Sequence, residues 1–268
     1  MKLDLTESEI SKTHLSDEIL AKAVDIFLTE GALWINSVIP LDILEDTKKA
    51  IKSYIHGIEQ RESDHRNLKV GDMRYMEPIK IEYPFSDCRL FCPQKVHQIL
   101  IQILGDNLVL DSYTTVISLP GAKLQHVHSD GPTLFGDEIN VNLPPHAVTL
   151  AVPLVDLDEV CGSTGIWYKS HLYGNKAVYE ADGKKILPAQ YPTPKLGDVY
   201  MFDYRIKHAG MPNQSDYARP ILYIVFSRPW WSDSSNFSGA CRPVNISANQ
   251  LHAMPNQIAP LFRNIKPV

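Results

Sequence analysis

The chain has 268 residues, a formal net charge of -5 at pH 7 and a pI near 6.0, a balance that argues against a nucleic-acid groove. Its 44% hydrophobic and 21% charged content suits a globular chain long enough for one large core. Four cysteines are too few for a disulfide scaffold, no apolar run approaches the ~18 residues of a membrane span, and the polar N-terminus lacks a signal-peptide core, so a cytoplasmic location is expected.

The first hundred residues read mainly as helix. Ile19, Leu20, Ala23, Val24, Phe27 and Leu28 form one helical stripe that stops at Gly31. A second helix follows Pro40, with Ile43, Leu44, Thr47, Ile51, Tyr54, Ile55 and Ile58 on one side. The charged stretch 59–67 reads as a loop. A third helix follows Pro93 and carries Val96, Ile99, Leu100, Ile103 and Leu104. From Leu108 the texture turns β-branched and alternating. Strands are predicted over 108–119, 147–157, 165–168, 198–202 and 221–226, separated by Pro, Gly, Asn and Asp turns. Helices followed by many short strands predict a sheet barrel or sandwich buttressed by helices. With no repeat and no linker, one domain is expected over 1–268. It divides into a helical part (about 1–105), a β core (about 106–232) and a C-terminal extension (233–268).

The densest chemical signal is Gln125-His126-Val127-His128-Ser129-Asp130. His128 and Asp130 are two apart, so on an extended strand both side chains share one face. His208, in His208-Ala209-Gly210, would complete two imidazoles and one carboxylate. Three such donors on one face of a metal leave the opposite face open, the ligand pattern of non-haem Fe(II) oxygenases. Arg219 follows eleven residues later, just ahead of an apolar strand. An Arg there points inward, and a buried Arg needs an anionic partner; a guanidinium fork suits a carboxylate.

The ordered set is more specific than any one motif. It comprises Gln125-x-x-His128-x-Asp130, Gly162-Ser163-Thr164, Gly197-Asp198, His208-x-Gly210 and Arg219. In this set, over about residues 26–231, the chain resembles the phytanoyl-CoA dioxygenase family of Fe(II)/2-oxoglutarate-dependent oxygenases. It departs at Tyr168-Lys169-Ser170-His171, where that family usually has P-G-S-H. The resemblance implies a double-stranded β-helix, a jelly-roll relative, as the core. It implies Fe(II) on His128, Asp130 and His208, with 2-oxoglutarate and O2 as co-substrates. Arg219 would hold the far carboxylate of 2-oxoglutarate, and Gln125 and Thr164 would touch that molecule. Gln125 is three residues before His128, so ideal alternation turns it away from the metal unless a bulge intervenes.

The expected reaction is oxidation of a small-molecule metabolite, in secondary metabolism by family habit, with release of succinate and CO2. Hydroxylation is the usual outcome; demethylation, desaturation and cyclisation are reachable by the same route. Asp130 argues against halogenation, since halogenating relatives carry a small residue there. No nucleic-acid or membrane partner is expected, and a homodimer is left open. Two other readings stand beside this one: a jelly-roll metalloenzyme that does not use 2-oxoglutarate, and a non-catalytic small-molecule-binding protein on the same fold. Among further residues, His126 is expected at the pocket rim, Tyr113 and Thr115 in the pocket or the core, His171 in a structural role and His146 in a loop. The Trp230-Trp231 pair is expected to pack against the N-terminal helices, and substrate choice to lie in 131–145 and 66–85.

Overall fold

Side-chain parity along the long strands positions everything that follows. On β10 (Arg219–Ser227) Leu222, Ile224 and Phe226 enter the main apolar core, while Ile221, Tyr223 and Val225 turn to the opposite face and line a cavity. Its neighbours β5 (Val109–Ser118) and β6 (Ala147–Pro153) pair with it antiparallel on either side. They follow the same rule: Val148, Leu150 and Val152 face the core, and Ser112, Thr114, Val116 and Thr149 face the cavity. The computed structural model describes residues 1–60, 69–131, 134–135, 139, 143–173, 188–234, 236–237 and 243–268.

The remaining strands are β1 (Lys2–Leu3), β2 (Ala32–Ile35), β3 (Lys69–Gly71), β4 (Arg74–Pro78), β7 (Thr164–Trp167), β8 (Val199–Asp203) and β9 (Lys207–Gly210). An eight-stranded sheet runs β1-β2-β8-β6-β10-β5-β4-β3, and β7 pairs with β9 in a small second sheet. The architecture is a double-stranded β-helix, a jelly roll with its cavity between the sheets. Helices α2 (Asp17–Glu30), α3 (Leu41–Gln60) and α5 (Gln94–Leu104) supply the apolar layer on the outer face of the large sheet. Phe27, Leu44, Val96, Ile99 and Leu100 are fully enclosed there, each such side chain contributing roughly 1.5–3 kcal/mol. Shorter helices are α1 (Glu7–Ile10), α4 (Cys88–Phe91) and α6 (Ala248–His252).

One expectation changes here and one open alternative closes. The first hundred residues are not only helical: β1, β2, β3 and β4 supply half of the large sheet. These segments are two to five residues long and lack alternation, so periodicity could not reveal them; partners distant in sequence make them strands. Of the two places open to Tyr113 and Thr115, pocket or core, the structure takes the second: neither lines the cavity. Tyr113 sits in the main core against Phe91, at 6.0 Å between ring centroids, and the Thr115 hydroxyl donates to the Ile221 carbonyl. Their neighbours Ser112 and Thr114 face the cavity instead. Most of the expected substrate-selecting segment 131–145, the start of 66–85 and Cys241 lie outside the described residues.

Candidate active site

Backbone pairing brings the two histidines together. His128 and His208 exchange both backbone hydrogen bonds (3.0 and 2.8 Å), and the Gln125 N–H donates to the Gly210 carbonyl at 3.0 Å. The stretch before Asp130 therefore lies beside β9, with His128 opposite His208. Residues facing each other in an antiparallel pair put their side chains on one face, and the rings are 4.4 Å apart. Asp130, two residues on, joins them: its Oδ1 is 3.3 Å from His208 Nε2. One ligand atom from each of His128, Asp130 and His208 lies within 4.8 Å of the others.

The surroundings prepare all three as donors. His128 Nδ1 is 2.8 Å from the His126 carbonyl and His208 Nδ1 is 3.2 Å from the Ile206 carbonyl. With Nδ1–H donating to a carbonyl, each ring presents its Nε2 lone pair inward. Burial, with the neighbouring His208, pushes the His128 imidazole down to about 4, so it is neutral near pH 7. Burial opposes charge on His208 too, but the Asp130 carboxylate outweighs it and raises that group. Burial likewise opposes ionisation of Asp130; its contact with His208 prevails and holds it below the usual carboxylate range. Thr149 Oγ1 donates to Asp130 Oδ2 at 3.1 Å, and Asn236 Nδ2 donates to the Asp130 carbonyl at 2.6 Å. Two imidazole nitrogens and a carboxylate, each with its outer partner in place, suit a divalent iron.

A cavity of about 150 Å³ opens from this cluster and runs to Arg219. Arg219 is 2% exposed. Its Nη1 donates to the carbonyls of Cys161 and Met211 (2.9 and 3.2 Å), and its Nη2 to Ser118 Oγ (2.8 Å). Gly162 lets this happen: at φ 75° it takes a left-handed turn, and a Cβ there would stand 2.8 Å from Arg219 Nη1 and 2.2 Å from the Pro212 carbonyl. Thr164 also lines the cavity, with its hydroxyl 2.8 Å from Tyr200 Oη and 3.0 Å from Tyr223 Oη. Gln125 reaches the cavity despite its unfavourable parity, because 121–127 is not a regular strand. Its Oε1 accepts from Arg74 Nη1 and from the Gly210 N–H, both at 3.1 Å, and its Nε2 donates to the Val70 carbonyl at 3.0 Å.

The sequence profile of the phytanoyl-CoA dioxygenase family (PhyH) matches residues 27–221, well over half of the chain. The chain belongs to the phytanoyl-CoA dioxygenase family. It is an enzyme of the non-haem iron, 2-oxoglutarate-dependent kind. Among solved structures it is similar to AviO1 from Streptomyces viridochromogenes Tue57, with 20% identity over 78% of this chain and 95% of that one and a TM-score of 0.60. It is similar also to the non-haem alpha-ketoglutarate-dependent epimerase SnoN from nogalamycin biosynthesis, with 14% identity over 80% and 84% and a TM-score of 0.55. The carbocyclase SnoK of the same biosynthesis matches at 17% identity over 85% and 96%, with a TM-score of 0.55. At these identities the structural likeness speaks for the fold.

The chain's departure from the phytanoyl-CoA dioxygenase pattern now has a local form. Lys169 stands where relatives place the Gly of P-G-S-H and adopts φ 67°, the left-handed region. The turn is kept without its glycine, and Lys169 is held by its N–H to the Glu30 carbonyl (2.8 Å) and an ion pair with Glu30 (3.3 Å). His171 beyond it is buried beside α2, with Nε2 3.3 Å from the Leu28 carbonyl. His126 is exposed, its ring 4.9 Å from that of His128.

Of two further expectations, that for His146 holds and that for the Trp230-Trp231 pair fails. His146 lies in the loop ahead of β6, as expected, but is 2% exposed there and packed between Tyr204 and Trp231. Trp231 joins that small cluster with Ala147 and Val225, not the N-terminal helices, and Trp230 is exposed. Sequence reasoning missed Arg74, Tyr200, Tyr204, Tyr223, Asp233 and Asn236. Tyr200 and Tyr223 sit on β8 and β10 at cavity-facing parity, which a strand-by-strand reading could have flagged. Asp233 and Asn236 could not be found so, because a tertiary contact brings them in: Asp233 Oδ2 accepts from the Tyr204 hydroxyl and from Asn236 Nδ2 at 2.7 Å. No described helix is long and apolar enough to cross a membrane.

Proposed function

We propose that this chain, as a single domain, oxidises a small-molecule metabolite in natural-product biosynthesis, holding Fe(II) on His128, Asp130 and His208 and 2-oxoglutarate on Arg219. The observation that carries the reading is one cavity joining a two-histidine, one-carboxylate cluster to a buried guanidinium. Bound ferrous ion with 2-oxoglutarate supplies the O2-dependent oxidising power, with release of succinate and CO2.

The protein's own part is positional. Carbonyls on Nδ1 aim the two imidazoles, and Thr149 occupies one oxygen of Asp130, leaving the other for the metal. Arg219 meets the far carboxylate of 2-oxoglutarate, Thr164 and its tyrosine partners lie along that molecule's flank, and Gln125 has one amide hydrogen left to give it. Asp233, Asn236 and Phe237 wall the cavity near Asp130, where a substrate would be held with its reacting carbon toward the metal. The nogalamycin neighbours, an epimerase and a carbocyclase, favour a natural-product substrate, with hydroxylation, demethylation, desaturation and ring closure all accessible.

Anaerobic titration of the protein with Fe(II) and then 2-oxoglutarate tests this without a known substrate. A weak visible charge-transfer band that saturates at one equivalent of each is the expected result. Fe(II) binding with no response to 2-oxoglutarate would favour a jelly-roll metalloenzyme of another type. A screen of candidate metabolites for succinate release then addresses the substrate.

A further inference from the structure

The end of the cavity away from Arg219 has a polar wall of its own. Rows across the large sheet order the space: Ser118 pairs with Arg219 at one end, while at the other Ser112 pairs with Val225 and Val225 with Thr149. Thr149 donates to Asp130 Oδ2, so the Ser112 row marks the metal end. Two strand spacings set Ser112 roughly 10 Å across the sheet from Thr149, room for a ring-sized molecule between them. Ser112 is 2% exposed and lines the cavity, and its hydroxyl has no hydrogen-bond partner among the described residues. A buried hydroxyl left so is unfavourable until a guest supplies the bond.

The mouth of this end is the segment after β10. Asn236 is exposed and Phe237 half-buried, and both line the cavity. Asn236 is fixed by its contacts. Its Nδ2 donates to the Asp130 carbonyl at 2.6 Å and to Asp233 Oδ2 at 2.7 Å, and its backbone N–H donates to Asp233 Oδ1 at 3.0 Å. Both side-chain partners are acceptors, which settles which way the amide points. Asn236 Oδ1 is then left as an acceptor with no partner among the described residues. The Tyr204 hydroxyl also donates to Asp233, and the Tyr204 ring closes against the residue after Asp130: a Cβ on Gly131 would stand 2.8 Å from it. The wall is therefore held in place beside a metal ligand, with one open hydroxyl and one open carbonyl oxygen.

We infer that Ser112 and Asn236 are specificity-determining residues that read a hydroxyl group on an uncharged substrate, with Asp233 positioning Asn236. This rests on the cavity holding the metal on His128, Asp130 and His208 and 2-oxoglutarate on Arg219. Ser112 has a hydrogen to give and Asn236 Oδ1 accepts one; a hydroxyl both accepts and donates, so it answers either. Charged groups fit this end badly. An ammonium would sit beside a divalent ion, and a carboxylate would face Asp130 and Asp233, in a space with little water to screen them. Val116, Val225 and Phe237 offer the carbon skeleton an apolar surface.

The test loads the protein anaerobically with Fe(II) and 2-oxoglutarate and adds ring-sized probes: cyclohexanol, cyclohexanone, cyclohexylammonium and cyclohexanecarboxylate. Saturation-transfer NMR reads probe binding, and the charge-transfer band of the same samples reports the co-substrate site. Cyclohexanol is expected to bind saturably and tightest. Ser112→Ala and Asn236→Ala should each weaken it about three- to tenfold, and only Ser112→Ala should weaken cyclohexanone, with the band unchanged throughout. Tightest binding of either charged probe, no binding of cyclohexanol, or wild-type cyclohexanol affinity in both variants would overturn the inference. Equal weakening of all four probes would overturn it as a distortion of the wall. Loss of the band in Asn236→Ala would make that residue a support of Asp130 and overturn its reading role. A wild-type protein that takes Fe(II) but shows no band with 2-oxoglutarate would instead sink the proposed function itself.

Discussion

Two regions of this molecule bury arginine on opposite terms. Beside β8, Arg205 is matched by Asp203 through a two-pronged ion pair, and the charge is cancelled inside the fold. Across β4 and β10, Arg74 and Arg219 meet, among the described residues, only carbonyls, a hydroxyl and an amide oxygen. The first arrangement belongs to folding, because removing either partner leaves an orphaned charge. The second leaves its charges without a described carboxylate, the arrangement that an anion in the proposed 2-oxoglutarate site on Arg219 would complete. The contrast separates structural from functional burial where exposure alone does not: all three are under 9% exposed.

Removing Asp203 should give the largest effect. Asp203→Asn leaves Arg205 uncompensated and is expected to cost about 3–5 kcal/mol of unfolding free energy, read by urea denaturation. Any folded fraction should keep wild-type affinity for 2-oxoglutarate. Arg219→Met should do the reverse: a ~100-fold weaker response to 2-oxoglutarate, corresponding to roughly 3 kcal/mol, with metal-free stability changed far less. If both variants lost stability equally, the distinction between the two regions would fail.

Acid separates the regions further. Burial pushes His146 down to about 4 from 6.5, so the unfolded chain binds the extra proton between those values. Stability is therefore full above pH 6.5 and falls as pH drops toward 4. At 2% exposure this contributes roughly 3 kcal/mol. The lowered Asp203 carboxylate loses its contribution only below its unfolded value near 3.8, so the ion pair outlasts the histidine as pH falls. A metal-free stability curve flat from pH 7 to 4 would contradict this order. Gly210→Ala pushes a methyl into Arg74 and is expected to destabilise by about 1–3 kcal/mol, read by thermal shift. The smallest change is remote from both regions: Lys169→Gly relieves a left-handed non-glycine residue and should stabilise by about 1 kcal/mol, with succinate formation unchanged.

Local periodicity made α2, α3, α5 and the long strands β5, β6 and β10 readable, because a stripe or an alternation is a property of neighbouring residues. The His128-x-Asp130 spacing, His208-x-Gly210 and the placement of Arg219 ahead of an apolar strand were legible for the same reason. The order of these motifs along the chain carried the family resemblance. What lay hidden depends on partners far away in sequence. The four N-terminal strands exist because the large sheet offers them edges. Tyr113 was left between pocket and core, and Ser112 went unremarked, because parity cannot say which face looks inward. Arg74, in an unremarkable Met-Arg-Tyr-Met run, becomes a cavity cation only when β4 registers on β5 opposite Ser118. Sequence alone fixed which chemistry the side chains could perform; tertiary pairing decided which of them share one desolvated space, because charge and hydrogen-bond balance are summed over neighbours in space and not along the chain.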